Sequence, residues 1–362
     1  MRDGFDIDDS GNVQAVSHVA RFARRELLVG IASLAAGALI PEGIFAQQGQ
    51  HAVQAPLEWI DVHHHFAPPA YAEALEKKGL TPAPLIGWSP QKTIDDMDKA
   101  GVATAMNSIV APGVWFDDVA LARRLARDAN EFAAKLVVDY PGRFGNFATL
   151  TLPDLEGSQR ELEYALDQLK ADGIMLFTSY NNKWLGDPFF APIFEELNRR
   201  RAVLFVHPTA NACCANLLPG VSSAKIEYGT DTTRAIVRMV YSGATKRYPN
   251  IRMIFSHGGG TMPYLFTRFV NLHEKTDARQ EPDFQAEVAR FYYDTAQTFN
   301  AIPMNALKSA VPMSQILFGT DYPYRSSKEN TAGLLAANVF DLKELEAVKR
   351  GNTLRLLPRL RR

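Results

Sequence analysis

From Glu58 onward, short apolar runs alternate with longer stretches in which apolar side chains return at helical spacing. That alternation predicts repeated βα units around a parallel sheet. Strands are expected at Ile60–His63, Val102–Ile109, Gly145–Leu150, Gly173–Phe177, Val203–His207, Met253–Ser256, Phe291–Asp294 and Ile316–Gly319, eight in all. Between them the spacing predicts helices at Asp117–Asp139, Leu155–Ala171, Pro188–Arg200, Thr232–Tyr248, Pro263–Glu274 and Met304–Ala310. Asp117 and Asp118 suit the N-terminal turn of the first, and Pro188 the first turn of the third. Eight parallel strands with crossover helices close as a (β/α)8 barrel of the TIM type, an α/β fold. The rival, an open doubly wound sheet, calls for a glycine-rich phosphate loop after an early strand, and the sequence has none there.

The stretch before the barrel has a different character. Residues 1–23 are polar and mixed in charge; Arg24 and Arg25 then precede an apolar run, Leu27 to Ile40, that closes at Pro41. A membrane-spanning helix needs about 20 apolar residues, so this run is too short to span and instead resembles a twin-arginine export signal with cleavage near Ala46. Ala23, Glu26 and Ile44 depart from the usual signal, and a cytoplasmic extension is the alternative. The expected layout is a signal over 1–46, a linker over 47–57, the barrel over 58–358 and a basic tail over 359–362, with the mature protein in the periplasm and without a stable membrane span.

Composition narrows the partners. With 362 residues, 39 Lys+Arg and 40 Asp+Glu, the formal charge is −1. A chain so balanced has no overall drive toward nucleic acid. Its two cysteines, Cys213 and Cys214, are adjacent and form neither a disulfide framework nor a cysteine zinc knot.

Most histidines after the linker fall at the C-terminal ends of the expected strands, the face on which barrel active sites assemble. In Asp61-Val62-His63-His64-His65 the strand period of two puts His63 and His65 on one side and His64 on the other, so two imidazoles can share a cation. His207-Pro208 ends the fifth strand, His257-Gly258-Gly259-Gly260 the sixth, and Gly319-Thr320-Asp321-Tyr322-Pro323 the eighth. A lone histidine in such a place is more often a hydrogen-bonded structural residue. Four strand ends in this order instead suit three imidazoles, one carboxylate and an open position around a divalent first-row metal. His64 reads as a bystander, His273 as surface, and the cysteines behind His207 as packing or loop residues.

These motifs, with the closing Gly351-Asn352-x-x-Arg355-Leu356, resemble the metal-dependent decarboxylase branch of the amidohydrolase superfamily, which includes aminocarboxymuconate semialdehyde and salicylate-type decarboxylases. The likeness runs from Glu58 to Pro358. It implies a distorted barrel in which His63, His65, His207 and Asp321 hold one metal ion per chain and His257 stands beside metal-bound water. It also implies homodimers in which Arg268 reaches the neighbouring site; the plain alternative for Arg268 is a surface salt bridge. Some relatives carry Glu where His63 stands, so the imidazole-rich shell here favours Zn2+ over Mn2+. The fourth strand has no lysine to bridge two metals, which disfavours a binuclear hydrolase.

The implied reaction is non-oxidative loss of CO2 from a hydroxybenzoate-like or enol-type carboxylic acid. Such a small-molecule substrate offers the metal two oxygens, while Asp321 shuttles a proton to the ring carbon and His257 polarises the metal water. Phe66, Trp88, Phe177, Trp184, Tyr180 and Phe299, at or near strand ends and rim loops, are candidate walls for a ring, although such aromatics serve as often in packing. The competing enzyme is a mononuclear hydrolase of a lactone or similar acyl compound. A degraded barrel used only for binding would have lost a ligand or His257, and none is missing.

Overall fold

The computed structural model describes residues 56–271 and 282–361. The expected signal over 1–46, most of the linker and His273 lie outside the described residues. Eight strands form the main sheet: β1 Trp59–His65, β2 Val102–Ser108, β3 Phe144–Thr149, β4 Gly173–Phe177, β5 Val203–His207, β6 Arg252–Phe255, β7 Tyr292–Asp294 and β8 Ile316–Leu317, apart from a short antiparallel pair, Ser179–Tyr180 with Lys183–Trp184. They lie side by side in chain order, and every ladder between neighbours is parallel. All eight expected strands therefore exist, with ends shifted by a few residues.

β1, β3, β4 and β5 are buried at every position. Strands covered on both faces read as continuous apolar runs, which is why they were visible in the sequence. Phe147 and Phe205 stack inside the barrel with ring centroids 5.4 Å apart, and Phe205 meets the edge of His63 at 5.0 Å. The barrel interior is thus a packed apolar plug beneath its polar mouth.

Closure of the barrel is irregular. β8 ends at Leu317, and the chain then runs beside β1 with hydrogen bonds from Val62 N–H to Phe318 O (2.9 Å), Asp321 N–H to His63 O (2.8 Å) and His65 N–H to Tyr322 O (2.8 Å). Asp61, fully buried, fastens the same seam. Its Oδ1 accepts from the backbone N–H of His63 (2.9 Å) and Thr320 (3.0 Å), and its Oδ2 from the Thr320 hydroxyl (2.6 Å) and His64 Nδ1 (2.9 Å). A carboxylate taken out of water persists only when its lone pairs are satisfied in this way.

The helices depart more from expectation. The first crossover helix spans Val119–Asp139 and is capped by Asp118, whose side chain accepts from Leu121 N–H; Asp117 sits outside it at φ 57°. Pro188–Phe190 is a separate 3-10 turn before the helix Ala191–Arg200. The helix expected at Thr232–Tyr248 starts earlier, at Glu227, and stops at Tyr241; Gly243, at φ 71°, separates it from a short turn at Ala244–Arg247. Left-handed backbone there suits glycine and ends the helical run. Two helices that the spacing did not reveal, Pro69–Lys77 and Pro90–Ala100, fill the long β1–β2 connection. Arg359, in the stretch expected to be a basic tail, pairs with Asp172 through two nitrogens at 2.8 and 2.5 Å. Among the described residues no helix is long and apolar enough to cross a membrane.

The seam predicts a stability effect. Asp61→Ala leaves the Thr320 and His63 N–H groups buried without their acceptor, and about 2–4 kcal/mol of stability is expected to be lost. Urea unfolding of the variant against wild type measures it, and a change below about 0.5 kcal/mol would count against the seam.

Candidate metal centre

His63 and His65 leave β1 on the same side, as a period of two requires, and their Nε2 atoms stand 3.2 Å apart. Asp321 closes the triangle: its Oδ1 is 3.3 Å from His63 Nε2 and 3.0 Å from His65 Nε2. A tetrahedral ligand set with metal bonds of about 2.0–2.2 Å has neighbouring ligand atoms about 3.3–3.6 Å apart; the three observed edges lie at or just below the short end of that range. One ligand atom from each of His63, His207, His257 and Asp321 also falls within 4.8 Å of the others. Groups from β1, β5, the turn after β6 and the barrel seam therefore converge on one small region.

The outer nitrogens decide what the inner ones do. His63 Nδ1 bonds Asp294 Oδ2 at 2.8 Å, His65 Nδ1 bonds Ser108 O at 3.2 Å, and His207 Nδ1 bonds Pro208 O at 2.8 Å. Asp294 Oδ2 and the two carbonyls can only accept, which places a proton on Nδ1 of His63 and His207 and favours the same on His65, whose Nδ1 also meets the Ser108 hydroxyl at 3.2 Å; each Nε2 can then present a lone pair, that of His63 once its second proton has left. Three fixed tautomers with converging lone pairs are the arrangement that metal-binding imidazoles adopt. Asp321 Oδ1 agrees with it: the atom is buried and, despite two nitrogens within 3.3 Å, accepts no hydrogen bond. The residues present fit a single divalent cation.

His65 and His257 differ in which Asp321 oxygen they approach. His65 faces Oδ1 together with His63, whereas His257 Nε2 lies 3.4 Å from Oδ2. The motifs implied His63, His65, His207 and Asp321 as ligands with His257 beside them; the geometry brings all five together, and the grouping of His63, His207, His257 and Asp321 places His257 as near the centre as His65. The Gln297 side-chain amide also donates to Oδ2. His64 takes no part: it bonds Asp61 and stacks on Tyr322 with centroids 4.7 Å apart.

Charge at the site follows from burial and neighbours. Burial alone would lower His63, but Asp294 and Asp321 outweigh it and raise its pKa from 6.5 to about 10. Burial lowers His65, and lowers His207 further with help from the other two imidazoles. Burial opposes the charge on Asp321, yet the charge on His63 and the imidazole nitrogens of His257, His63 and His65 around it hold its carboxyl well below the usual range. Without a cation, the centre is a protonated His63 held between two carboxylates.

Backbone strain gathers here as well. His257, Gln297 and Asp321 have φ of 53°, 55° and 62°, left-handed values that non-glycine residues adopt uncommonly, and three of the ten such residues described lie in this cluster. In the motif His257-Gly258-Gly259-Gly260 the last residue has no room for a side chain, because a Cβ would fall 2.0 Å from Gly229 O on the helix Glu227–Tyr241. Gly319 is equally confined, a Cβ there lying 2.9 Å from the Cβ atoms of His63 and Asp294.

Over the cluster lies a cavity of about 340 Å³ walled by Tyr228, Tyr324, Thr261, Val110 and Ala111, with His207, His257, Gln297 and Asp321 at its polar end. The tyrosines meet the ligands edge-on, Tyr228 at 6.0 Å from His207 and Tyr324 at 6.0 Å from His65. The aromatics expected as walls are elsewhere. Phe66 and Trp88 pack together with Phe132, Trp184 bonds Asp231 through its indole nitrogen at 2.6 Å, and Phe299 packs against Gly333. Phe177 and Tyr180 line a neighbouring cavity of about 350 Å³, with the Phe177 ring 6.1 Å from His207. Arg268 is exposed on the helix Phe266–Asn271 and does not line the cavity of its own chain.

Sequence reasoning passed over Asp294, Gln297, Tyr228 and Tyr324. Asp294 had a usable signal, an acid at the C-terminal end of a strand like the ligands themselves. It bonds both His63 and the His257 N–H (2.9 Å), so it ties a ligand to the residue beside it. Tyr228 and Tyr324 reach the cavity from a helix start and a loop, where no periodicity marks them.

A family model described as amidohydrolase matches residues 60–359. The chain belongs to the amidohydrolase family. Curated proteins similar to it include decarboxylases: it is 36% identical to a protein named decarboxylase yanB of Aspergillus niger over 84% of this chain and 88% of that one. It is also 36% identical to the 6-methylsalicylic acid decarboxylase of Penicillium expansum, over 83% of this chain and 97% of the relative. Among solved amidohydrolase-fold structures, dihydroxybenzoic acid decarboxylase from Polaromonas sp. JS666, with bound manganese and the inhibitor 2-nitroresorcinol, superposes with a TM-score of 0.72 at 21% identity, covering 84% of this chain and 98% of that one.

Metal uptake by this amidohydrolase centre should release a proton. His63, with its pKa near 10, is protonated at pH 7 in the metal-free protein and must lose that proton to become a ligand. Apparent Zn2+ affinity is expected to rise about tenfold per pH unit between pH 7 and 9, and Asp294→Asn, which removes the first charge holding the proton, should flatten that slope. Chelator competition across pH, with elemental analysis for about one ion per chain, tests both; a pH-independent affinity in wild type contradicts the assignment.

Proposed function

We propose that this protein is a metal-dependent, non-oxidative carboxy-lyase acting on a hydroxybenzoate-type acid. The observation that carries the reading is Asp321, with one oxygen among the ligand nitrogens and the other against His257, at the floor of a cavity sized for one ring. The names of the relatives at 36% identity support the substrate class. The imidazole-rich ligand set favours Zn2+, and Mn2+, found in the Polaromonas structure, is the second choice.

Loss of CO2 leaves an electron pair on a ring carbon, so that carbon must gain a proton as the C–C bond breaks. When bound, the metal ion supplies positive charge that orients the carboxylate and its ortho oxygen and offsets charge on the ring. The chain's own residues provide the rest. Asp321 rests as a carboxylate and collects a proton through His257, 3.4 Å from its Oδ2. It delivers that proton to the carbon bearing the carboxylate; the C–C bonding pair returns to the ring, and CO2 departs. Gln297 fixes the Asp321 carboxylate by donating to Oδ2, and Tyr228 and Tyr324 flank the ring. A cavity closed by such walls limits water at the reacting carbon.

Two further parts of the reading concern assembly and location. The protein forms a homodimer in which Arg268, exposed in its own chain, reaches the partner's cavity and pairs with a substrate anion. Residues 1–46 act as a twin-arginine signal that sends the protein to the periplasm.

Each part has its measurement. Metal-loaded protein incubated with 6-methylsalicylate, salicylate and related hydroxybenzoates should release a product lighter by about 44 Da, the mass of CO2, with solvent deuterium at the vacated carbon. Asp321→Asn is expected to lower kcat by about 10²–10⁴-fold with the fold intact. Opening of a lactone panel without CO2 release would make the enzyme a hydrolase instead. Mixing Arg268→Ala subunits with Asp321→Asn subunits should restore activity if the arginine crosses an interface, and no recovery places its action within one chain. Sequencing of exported material should begin near Gln47; an intact Met1 in the cytoplasm overturns the signal.

A further inference from the structure

The cavity above the metal centre has one cationic side chain other than histidine in its lining, Lys225. It ends the 3-10 turn Ser223–Lys225, which leads into the helix Glu227–Tyr241, and its backbone is fixed by hydrogen bonds from Lys225 N–H to Ser222 O (3.0 Å) and from Ile226 N–H to Ser223 O (3.2 Å). Its side chain is exposed and has neither a hydrogen bond nor an ion pair among the described residues. An exposed lysine is ordinarily just solvated. This one lines a cavity, and the acids on the adjoining helix are already engaged.

Glu227 is bonded to Arg234 Nη1 at 3.3 Å. Asp231 accepts from the hydroxyls of Thr178 and Ser179 and from Trp184 Nε1. Asp321, the carboxylate of the cavity lining, faces the imidazoles and Gln297. No acid of the lining or the adjoining helix is left to neutralise Lys225.

The charge balance of the centre gives the lysine a task. A divalent cation is matched by the two buried carboxylates that bracket His63, Asp294 and Asp321, both within 3.3 Å of that ring. The loaded centre is then close to neutral, and an arriving benzoate makes it negative. Coulomb attraction from a cation at the cavity rim offsets that charge over several ångströms, weakened by salt because the side chain is exposed.

We propose that Lys225 is the rim cation that selects anionic acids for this site and sets their affinity from within the same chain. The inference deepens the carboxy-lyase reading and rests on it for the substrate class, acids with a single aromatic ring. Discrimination is between the carboxylate form and its neutral, decarboxylated counterpart, so Lys225 also favours exchange of product for substrate. Lys225 is a specificity residue; the proton chemistry stays with Asp321 and His257.

The experiment uses metal-loaded full-length protein with 6-methylsalicylate as the anionic probe and 3-methylphenol, its decarboxylated counterpart, as the neutral one. Calorimetric titration of both into wild type, Lys225→Gln, Lys225→Glu and Lys225→Arg gives affinities that do not depend on turnover. Lys225→Gln should weaken 6-methylsalicylate about five- to tenfold and leave 3-methylphenol within about twofold. Lys225→Glu should weaken the acid further, Lys225→Arg should restore it, and raising salt should shrink the difference between wild type and Lys225→Gln. Where turnover is measurable, the loss should appear in KM with kcat within about twofold.

Equal weakening of acid and phenol would make Lys225 a wall rather than a charge, and unchanged acid affinity in both Lys225→Gln and Lys225→Glu would remove it from recognition; either result overturns the inference. Failure of the underlying reading looks different. Wild type would then bind 6-methylsalicylate in a Lys225-dependent manner and release no CO2 from any hydroxybenzoate.

Discussion

The metal centre depends on how the barrel closes. Seven strand pairs form ordinary parallel ladders, but the last side is joined to β1 by an irregular segment, 318–322, held by backbone bonds and by the buried carboxylate of Asp61. A regular strand would alternate Thr320 and Asp321 to opposite faces along a fixed line. Instead the chain turns through φ 62° at Asp321 while its N–H bonds His63 O at 2.8 Å. That bond fixes the distance between the carboxylate and the two β1 imidazoles. The strain of a left-handed aspartate persists because the seam on either side over-determines it.

A second constraint is the direction of each imidazole. Burial makes a neutral ring cheaper than a charged one, so His65 and His207 stay neutral and available as donors of lone pairs. His63 is the exception because Asp294 and Asp321 sit on its two nitrogens. In metal-free protein those carboxylates are balanced by a proton; with a cation present the same two charges balance the metal. The site is therefore built around a positive charge, and the proton is the smaller of its two occupants. Carboxylate support behind a ligating histidine both orients the ring and strengthens it as a donor.

Much of this was legible in the sequence, and the reasons differ by element. Strands buried on both faces leave continuous apolar runs, and ligands that interrupt those runs at their C-terminal ends stand out, which exposed His63, His65, His207 and His257. Asp321 was legible through its motif, although the strand that should carry it stops at Leu317. The helices were less legible because their ends depend on caps and on glycine conformation: Asp118 rather than Asp117 caps one, and Gly243 ends the helical stretch through Tyr248 early. The walls were not legible. Phe66, Trp88 and Trp184 have the composition of a ring pocket, but aromatic side chains near a barrel mouth gain as much by packing against one another, and here they do. Tyr228 and Tyr324 wall the cavity because Gly260 lets the helix Glu227–Tyr241 come close through Gly229 and because the backbone turns sharply at Asp321.

Floor and walls thus obey different rules. The floor is made of strand ends in a packed barrel, where moving one ligand by an ångström would require shifting the sheet, so its chemistry is fixed by the fold. The walls come from a helix start and from connecting loops, where a substitution can change shape or charge without disturbing the ligands. Phe177 shows the boundary between the two. It belongs to β4, yet its ring stands between His207 and the neighbouring cavity, close enough to Gly113 that a Cβ there would fall 2.5 Å from the ring. That ring lines the neighbouring cavity and not the one above the polar cluster, so a core side chain shapes the first, while helix and loop residues such as Tyr228 and Tyr324 shape the second.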